Sequence, residues 1–183
     1  MKNPICISTG SVYKLSDDRN YLIRDLQKIS KLYKRISARN VVFHKGQIED
    51  FDLLINNDFV SSIENDDWRK PQHSIEDIKN VLDKNKRFKF TFDFAHALSV
   101  SLSDIPEYIN YFKDRLIEIH LSIVNKDLEK HDFLHNHDNE GMRQLLQPLK
   151  SVSDLIPIIL EGVVSTLEET ELLKKEIEYI KEI

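Results

Sequence analysis

The chain has 183 residues, 40% of them hydrophobic and 31% charged, which is one domain's length and enough apolar material for a buried core, and argues against disorder. Lys and Arg number 26 against 31 Asp and Glu, a net charge of −5, so nucleic acid is disfavoured as a partner unless a local basic groove exists. No apolar run approaches the ~18–20 residues of a membrane span, Ile5-Cys6-Ile7 is too short for a signal-peptide core, and the lone Cys6 leaves a reducing cytoplasm as the expected location.

In chain order, Ile5–Thr9 reads as a first strand. Leu22, Leu26, Ile29, Tyr33 and Ile36 then share one helical face. Asn40–Phe43 reads as a strand, Ile48–Ile55 as a short helix, and Phe59–Ile63 as another strand. Ile75, Ile78, Val81 and Leu82 form a helical face behind Ser74, an N-cap with Asp77 three residues on. Phe88–Phe92 is a strand, and Ile105, Tyr108, Ile109 and Phe112 are a helical face. Leu116–Leu121 is a strand, and Met142, Leu145, Leu146 and Leu149 are a helical face. Ile156–Leu160 is the last strand. Leu172, Leu173, Ile177 and Ile180 form the last helical face, with Thr166 and Glu169 as its capping box.

Strand and helix alternate six times, which argues a parallel sheet with crossover helices. Six units in 183 residues is about 30 residues per unit, as in a complete β/α barrel of roughly 250 residues in eight units. The expectation is an α/β, TIM-barrel-like fold, incomplete or reduced to about six units, in a single domain over residues 1–183. Spacing alone leaves a doubly wound sheet open, although no Gly-rich phosphate loop is present.

The polar residues concentrate at strand ends. His44 follows Val41-Val42-Phe43, Glu64 follows Ser61-Ser62-Ile63, and Asp93 follows Phe90-Thr91-Phe92, with His96 three residues on. His120 ends Ile117-Glu118-Ile119, and Glu161 follows Ile158-Ile159-Leu160. Carboxyl ends of parallel strands face one side, where active sites form. Carboxylates gathered there repel one another, and a divalent cation relieves that. A mixed oxygen and nitrogen set suits Mn²⁺ or Zn²⁺. Taken singly, a strand-end Asp or Glu usually caps the next helix or pairs with a Lys; it is the joint pattern over five strands that points to a site. A second cluster, Glu129, His131, Asp132, His135 and His137, falls in what reads as a loop, and Trp68 with Arg69 suits either a pocket lining or a cover for the rim.

The ordered segments Val-Val-Phe-His44-Lys-Gly, Ile-Glu64-Asn, Phe-Asp93-Phe-Ala-His96, Ile-His120-Leu-Ser and Ile-Leu-Glu161-Gly resemble the xylose isomerase-like TIM-barrel superfamily. That group includes sugar isomerases and epimerases and the endonuclease IV apurinic endonucleases. The resemblance implies a single-cation site on Glu64, Asp93, His120 and Glu161. It implies proton transfer by Glu64 and Glu161, and substrate contacts from His44, His96 and His131, with Trp68 as a further candidate contact. Glu129 and His131 are similar to the Asp-x-His pair of the endonucleases, with Glu-Lys-His in its place. Two features depart from the pattern. The first strand aligns with the family's third, so two β/α units are missing, and Ser8-Thr9 stands where the endonucleases carry a His. The usual His-Pro-Gly is His44-Lys45-Gly46.

The functional expectation is a metal-dependent isomerase or epimerase of a small sugar or related hydroxy-carbonyl compound. The alternatives are a non-catalytic barrel with a binding or regulatory role and, with less support, an apurinic endonuclease. An incomplete barrel leaves two strand edges, so a homodimer covering the gap, or a collapsed barrel, is expected.

Overall fold

The structure, a computed structural model, describes residues 7–9, 18–47, 51–71, 73–125, 130–152, 156–162 and 170–183. The chain forms two compact units, Met1–Thr91 and Phe92–Ile183. The first holds β1 (Ile7–Ser8), α1 (Arg19–Ile36), β2 (Val41–His44), α2 (Asp52–Ile55), β3 (Ser61–Glu64), α3 (Ile75–Lys84) and the start of β4 (Lys89–Asp93). The second takes up the end of β4. It continues with α4 (Phe94–Val100), α5 (Asp104–Phe112), β5 (Leu116–Leu121), β6 (Ile123–Asn125), β7 (Lys130–Asp132), α6 (Glu140–Leu146), β8 (Ile158–Leu160) and α7 (Thr170–Glu182).

One six-stranded sheet runs in the order β1-β2-β3-β4-β5-β8. A doubly wound sheet reverses direction at a switch point. Here each strand of the sheet is added beside its predecessor without reversal, which is the winding of a barrel-type α/β fold. All six sequence-predicted strands are present, with edges moved by a residue or two. Residues 5 and 6 of the first lie outside the described residues, as do Thr166 and Glu169.

In the first unit, β2 and β3 are buried along their whole length. Val41, Phe43 and Ile63 lie on one face, and the other carries Val42 and the polar Asn40, His44, Ser62 and Glu64. On that polar face Asn40 Nδ2 donates to Ser62 Oγ at 2.9 Å and Thr91 Oγ1 donates to it at 2.8 Å. Register pairs Val42 with Ser62, His44 with Glu64, and Glu64 with Thr91. The Ser74 cap forms as expected: Asp77 N donates to Ser74 Oγ at 3.2 Å, and Ser74 N donates to Asp77 Oδ2 at 3.2 Å. Buried Lys45 donates to Asp77 Oδ1 at 3.1 Å. Burial raises the Asp77 carboxyl pKa, but hydrogen bonds from Ser74 and Lys45 outweigh it and leave the pKa lowered. Lys45 thus ties the chain after β2 to the start of α3.

In the second unit, α5 buries all four expected residues, Ile105, Tyr108, Ile109 and Phe112. Three features differ from the sequence reading. Residues 94–100 form α4, started by Asp93 as N-cap. Part of the expected loop over 129–137 is strand: β6 and β7 pair antiparallel, with Val124 opposite His131. On α7 the buried residues are Glu176 and Tyr179, while Ile177 is 40% exposed. No described helix is long and apolar enough to cross a membrane.

Two measurements check these elements. Ser74→Ala removes a cap acceptor, so urea denaturation is expected to show a loss of about 1 kcal/mol. Burial, and donation to Asp138 Oδ1 at 2.9 Å, push the Tyr179 phenol up to about 12. An unfolded phenol titrates near ~10. The stabilisation from the neutral phenol is therefore full below about pH 10 and is lost as pH rises through 12. Alkaline absorbance titration is expected to lose one late-ionising phenol in Tyr179→Phe.

Candidate metal centre

The second unit brings five sequence-predicted residues together. Asp93 ends β4 and its two oxygens divide their work. Oδ1 accepts from His96 N at 2.7 Å, the helix-capping role. Oδ2 lies 4.0 Å from His120 Nδ1 and 3.9 Å from His96 Nδ1. His120, next to last on β5, has its Nδ1 3.2 Å from Glu161 Oε1. Glu161 follows β8 directly and is held there by its own backbone N–H, which donates to Leu121 O at 3.1 Å. Its other oxygen lies 3.6 Å from His131 Nδ1, and Ser122 Oγ is 2.7 Å from that nitrogen. Asp93, His120 and Glu161 each offer a ligand atom within 4.8 Å of the others.

Glu118, two residues before His120 and on the same face of β5, decides how the imidazole is used. Its Oε1 lies 2.7 Å from His120 Nε2, and both side chains are buried. A carboxylate can only accept, so Nε2 carries the proton and donates. The neutral ring then turns the Nδ1 lone pair toward the Asp93 and Glu161 carboxylates. Three electron-rich atoms cannot stay so close in a buried site without positive charge among them. That charge is either a second proton on the ring or a cation. The carboxylate–histidine arrangement is the one that orients histidine ligands in metal centres. The donor set therefore fits a divalent cation, on chemistry present in the chain.

Glu118 was missed at the sequence level, although a signal exists. It is a charged residue inside an otherwise apolar strand, spaced two residues from a histidine, so the pleat puts both on one face.

The first unit brings Glu64 to His44: His44 Nε2 lies 3.2 Å from Glu64 Oε2, and His44 Nδ1 lies 3.0 Å from Asp66 Oδ1. All three side chains are buried. Asp66, not singled out from sequence, holds the His44 ring so that Nε2 addresses Glu64. Asp67 accepts from Arg69 at its backbone N, Nε and Nη2. Trp68, between them, is 60% exposed. Glu129 lies outside the described residues.

The segment after β7 packs against Glu161's neighbour. A Cβ on Gly162 would lie 2.4 Å from two Phe133 ring atoms, so only glycine admits that ring. Among the other histidines of the second cluster, His137 Nε2 is 2.9 Å from Asp132 Oδ2, and His135 Nδ1 is 2.7 Å from Glu176 Oε2.

Replacing Glu118 by alanine frees the His120 ring to rotate and to change tautomer. Calorimetric titration with Mn²⁺ is expected to show about 10–100-fold weaker binding. Glu118→Gln, which keeps an acceptor oxygen, is expected to fall between wild type and alanine.

No family model matches this chain, and no curated protein matches it. Among solved structures, the crystal structure of AsfvAP, an African swine fever virus AP endonuclease, superposes with a TM-score of 0.71 at 13% identity, over 98% of this chain and 74% of that one. At this identity the likeness is one of fold: the chain has the α/β, barrel-type winding found in that enzyme.

Proposed function

We propose that this protein is a divalent-metal-dependent isomerase or epimerase, moving a proton at the carbon beside the carbonyl of a small sugar or related hydroxy-carbonyl compound. The observation that carries the reading is the trio Asp93, His120 and Glu161, in which Glu118 orients the imidazole. Mn²⁺ or Zn²⁺ suits the mixed carboxylate and imidazole donors. When bound, the cation polarises vicinal substrate oxygens and makes the neighbouring C–H more acidic.

The side chains then divide by exposure. Asp93 and His120 have side chains only 1% and 2% exposed, whereas the Glu161 side chain is 29% exposed. Asp93 and His120 are thus placed to bind and hold, and Glu161 can also reach a substrate. Glu161 is the side chain placed to take the proton from the carbon and to return it. His131, with its side chain 34% exposed beside Glu161, is placed to orient a hydroxyl, as is His96. The family relationship, the small-molecule substrate and a homodimer belong to this same reading.

A second reading, cleavage of DNA at abasic sites, draws on the fold shared with the viral AP endonuclease. The net charge of −5 weighs against it, because phosphate binding rests on basic side chains.

The test is solvent deuterium exchange into a panel of aldoses and ketoses by Mn²⁺-loaded protein. Exchange is expected for at least one sugar. Glu161→Gln is expected to slow it about 10²–10⁴-fold, the usual range for removing a general base. Full metal loading with no exchange across the panel overturns the isomerase reading. Cleavage of an abasic oligonucleotide by the same preparation replaces it with the second.

A further inference from the structure

We infer that Glu176, on α7, is a positioning residue for the Glu161 and His131 side of the metal centre. This inference rests on the reading above for what the centre does, but not for how the contact is built.

Glu176 is 1% exposed. A buried carboxylate is costly unless donors surround it, and here all three come from one short segment. Oε1 accepts from Leu134 N at 2.8 Å. Oε2 accepts from His135 N at 3.0 Å, and His135 Nδ1 lies 2.7 Å from it. The contact joins residues 41 and 42 positions apart. One turn further along α7, Tyr179 donates to Asp138 Oδ1 at 2.9 Å. The last helix therefore grips the chain just after β7 at two points.

The grip leads back to the site through packing. The His135 ring stacks on Phe133, with centroids 5.5 Å apart and planes at 28°. Phe133 fills the space that a side chain at 162 would need, and residue 162 follows Glu161. His131, two residues before Phe133 on β7, faces the other oxygen of Glu161 at 3.6 Å. Glu176 thus fixes the segment that sets Glu161: the Phe133 ring against the neighbouring Gly162 and His131 against the Glu161 carboxylate. Apolar residues at 176 would bury the helix equally well, but they would leave the backbone N–H groups of Leu134 and His135 without their acceptor.

The experiment compares wild type, Glu176→Gln and Glu176→Ala in the full chain, using Co²⁺ as the probe. Glutamine keeps one acceptor for Leu134 N but cannot accept from His135 with its amide nitrogen, so a graded response is expected. Co²⁺ affinity should fall about tenfold in Glu176→Ala, in line with outer-shell losses at metal sites. The visible d–d spectrum at saturation should change, and Glu176→Gln should lie between. A purely structural Glu176 would lower the melting temperature and leave the saturated spectrum and affinity as in wild type, and that result overturns the proposal. If Glu176→Ala does not fold, Glu176→Gln alone decides, by the same spectrum and affinity. If wild type takes up no Co²⁺, the metal reading fails by itself. Amide hydrogen exchange then decides the clamp: faster exchange confined to residues 131–135 supports it, and unchanged protection there overturns it.

Discussion

Concentrated negative charge around a buried imidazole is the constraint on which this structure turns. In the second unit, Glu118, Asp93 and Glu161 all address His120, and all but Glu161 are almost fully buried. Desolvating a carboxylate costs several kcal/mol even after relaxation. A single neutral histidine cannot compensate three such groups, because it has one proton to donate. Placing the proton on Nε2, against Glu118, resolves one contact and sharpens the other two. The remaining sites call for positive charge at Nδ1, and Glu161 is the member of the group open to solvent. In the proposed reading, cation binding and proton transfer both follow from this one distribution of charge and burial.

The sheet makes that distribution possible at tolerable cost. Alternation along each strand gives one polar and one apolar face. On β4 the apolar face carries Phe90 and Phe92, both 0% exposed, and each fully buried side chain of this size contributes about 1.5–3 kcal/mol. The polar face carries Thr91 and Asp93. β5 repeats the division, with Ile119 and Leu121 opposite Glu118 and His120. β4 and β5 therefore each anchor the costly group they bring to the site by the other face. In the first unit the pleat places Val42, His44, Ser62 and Glu64 on one face. The Asn40 and Thr91 side chains there both donate to Ser62 Oγ.

This logic explains what could be read from sequence and what could not. Strand ends were legible because apolar runs stop abruptly at His44, Glu64, Asp93 and Glu161, and the pleat then dictates the face. Glu118 was legible in principle, by its spacing from His120. Periodicity left the winding of the sheet open, since helical and strand periods are identical in barrels and open sheets; the barrel-type expectation, which the strand order bears out, rests on the unit spacing and the ordered strand-end motifs. The β6–β7 hairpin lacked a signal because its strands are three residues each and carry no apolar alternation. On α7 the apolar residues indicated the right face but not its occupants. A carboxylate displaced an isoleucine from burial because three donors from the segment after β7 meet it there, a tertiary contact that overrides local pattern.

The Glu161-Gly162 pair shows how a two-residue motif can encode a contact made by distant chain. Glutamate is required for the chemistry proposed at that position. Glycine is required by Phe133, whose ring occupies the volume of any Cβ at 162. Phe133 in turn lies between His131, which faces Glu161, and the Leu134 and His135 amides held by Glu176. The carboxylate with the greatest exposure in the centre is therefore the one with the most elaborate support from outside its own strand. That is physically coherent: β8 is short and at an edge of the sheet, so its hydrogen bonds alone restrain Glu161 less than β4 and β5 restrain Asp93 and His120. A ligand that must also reach outward needs its orientation set by packing, and the last helix supplies it.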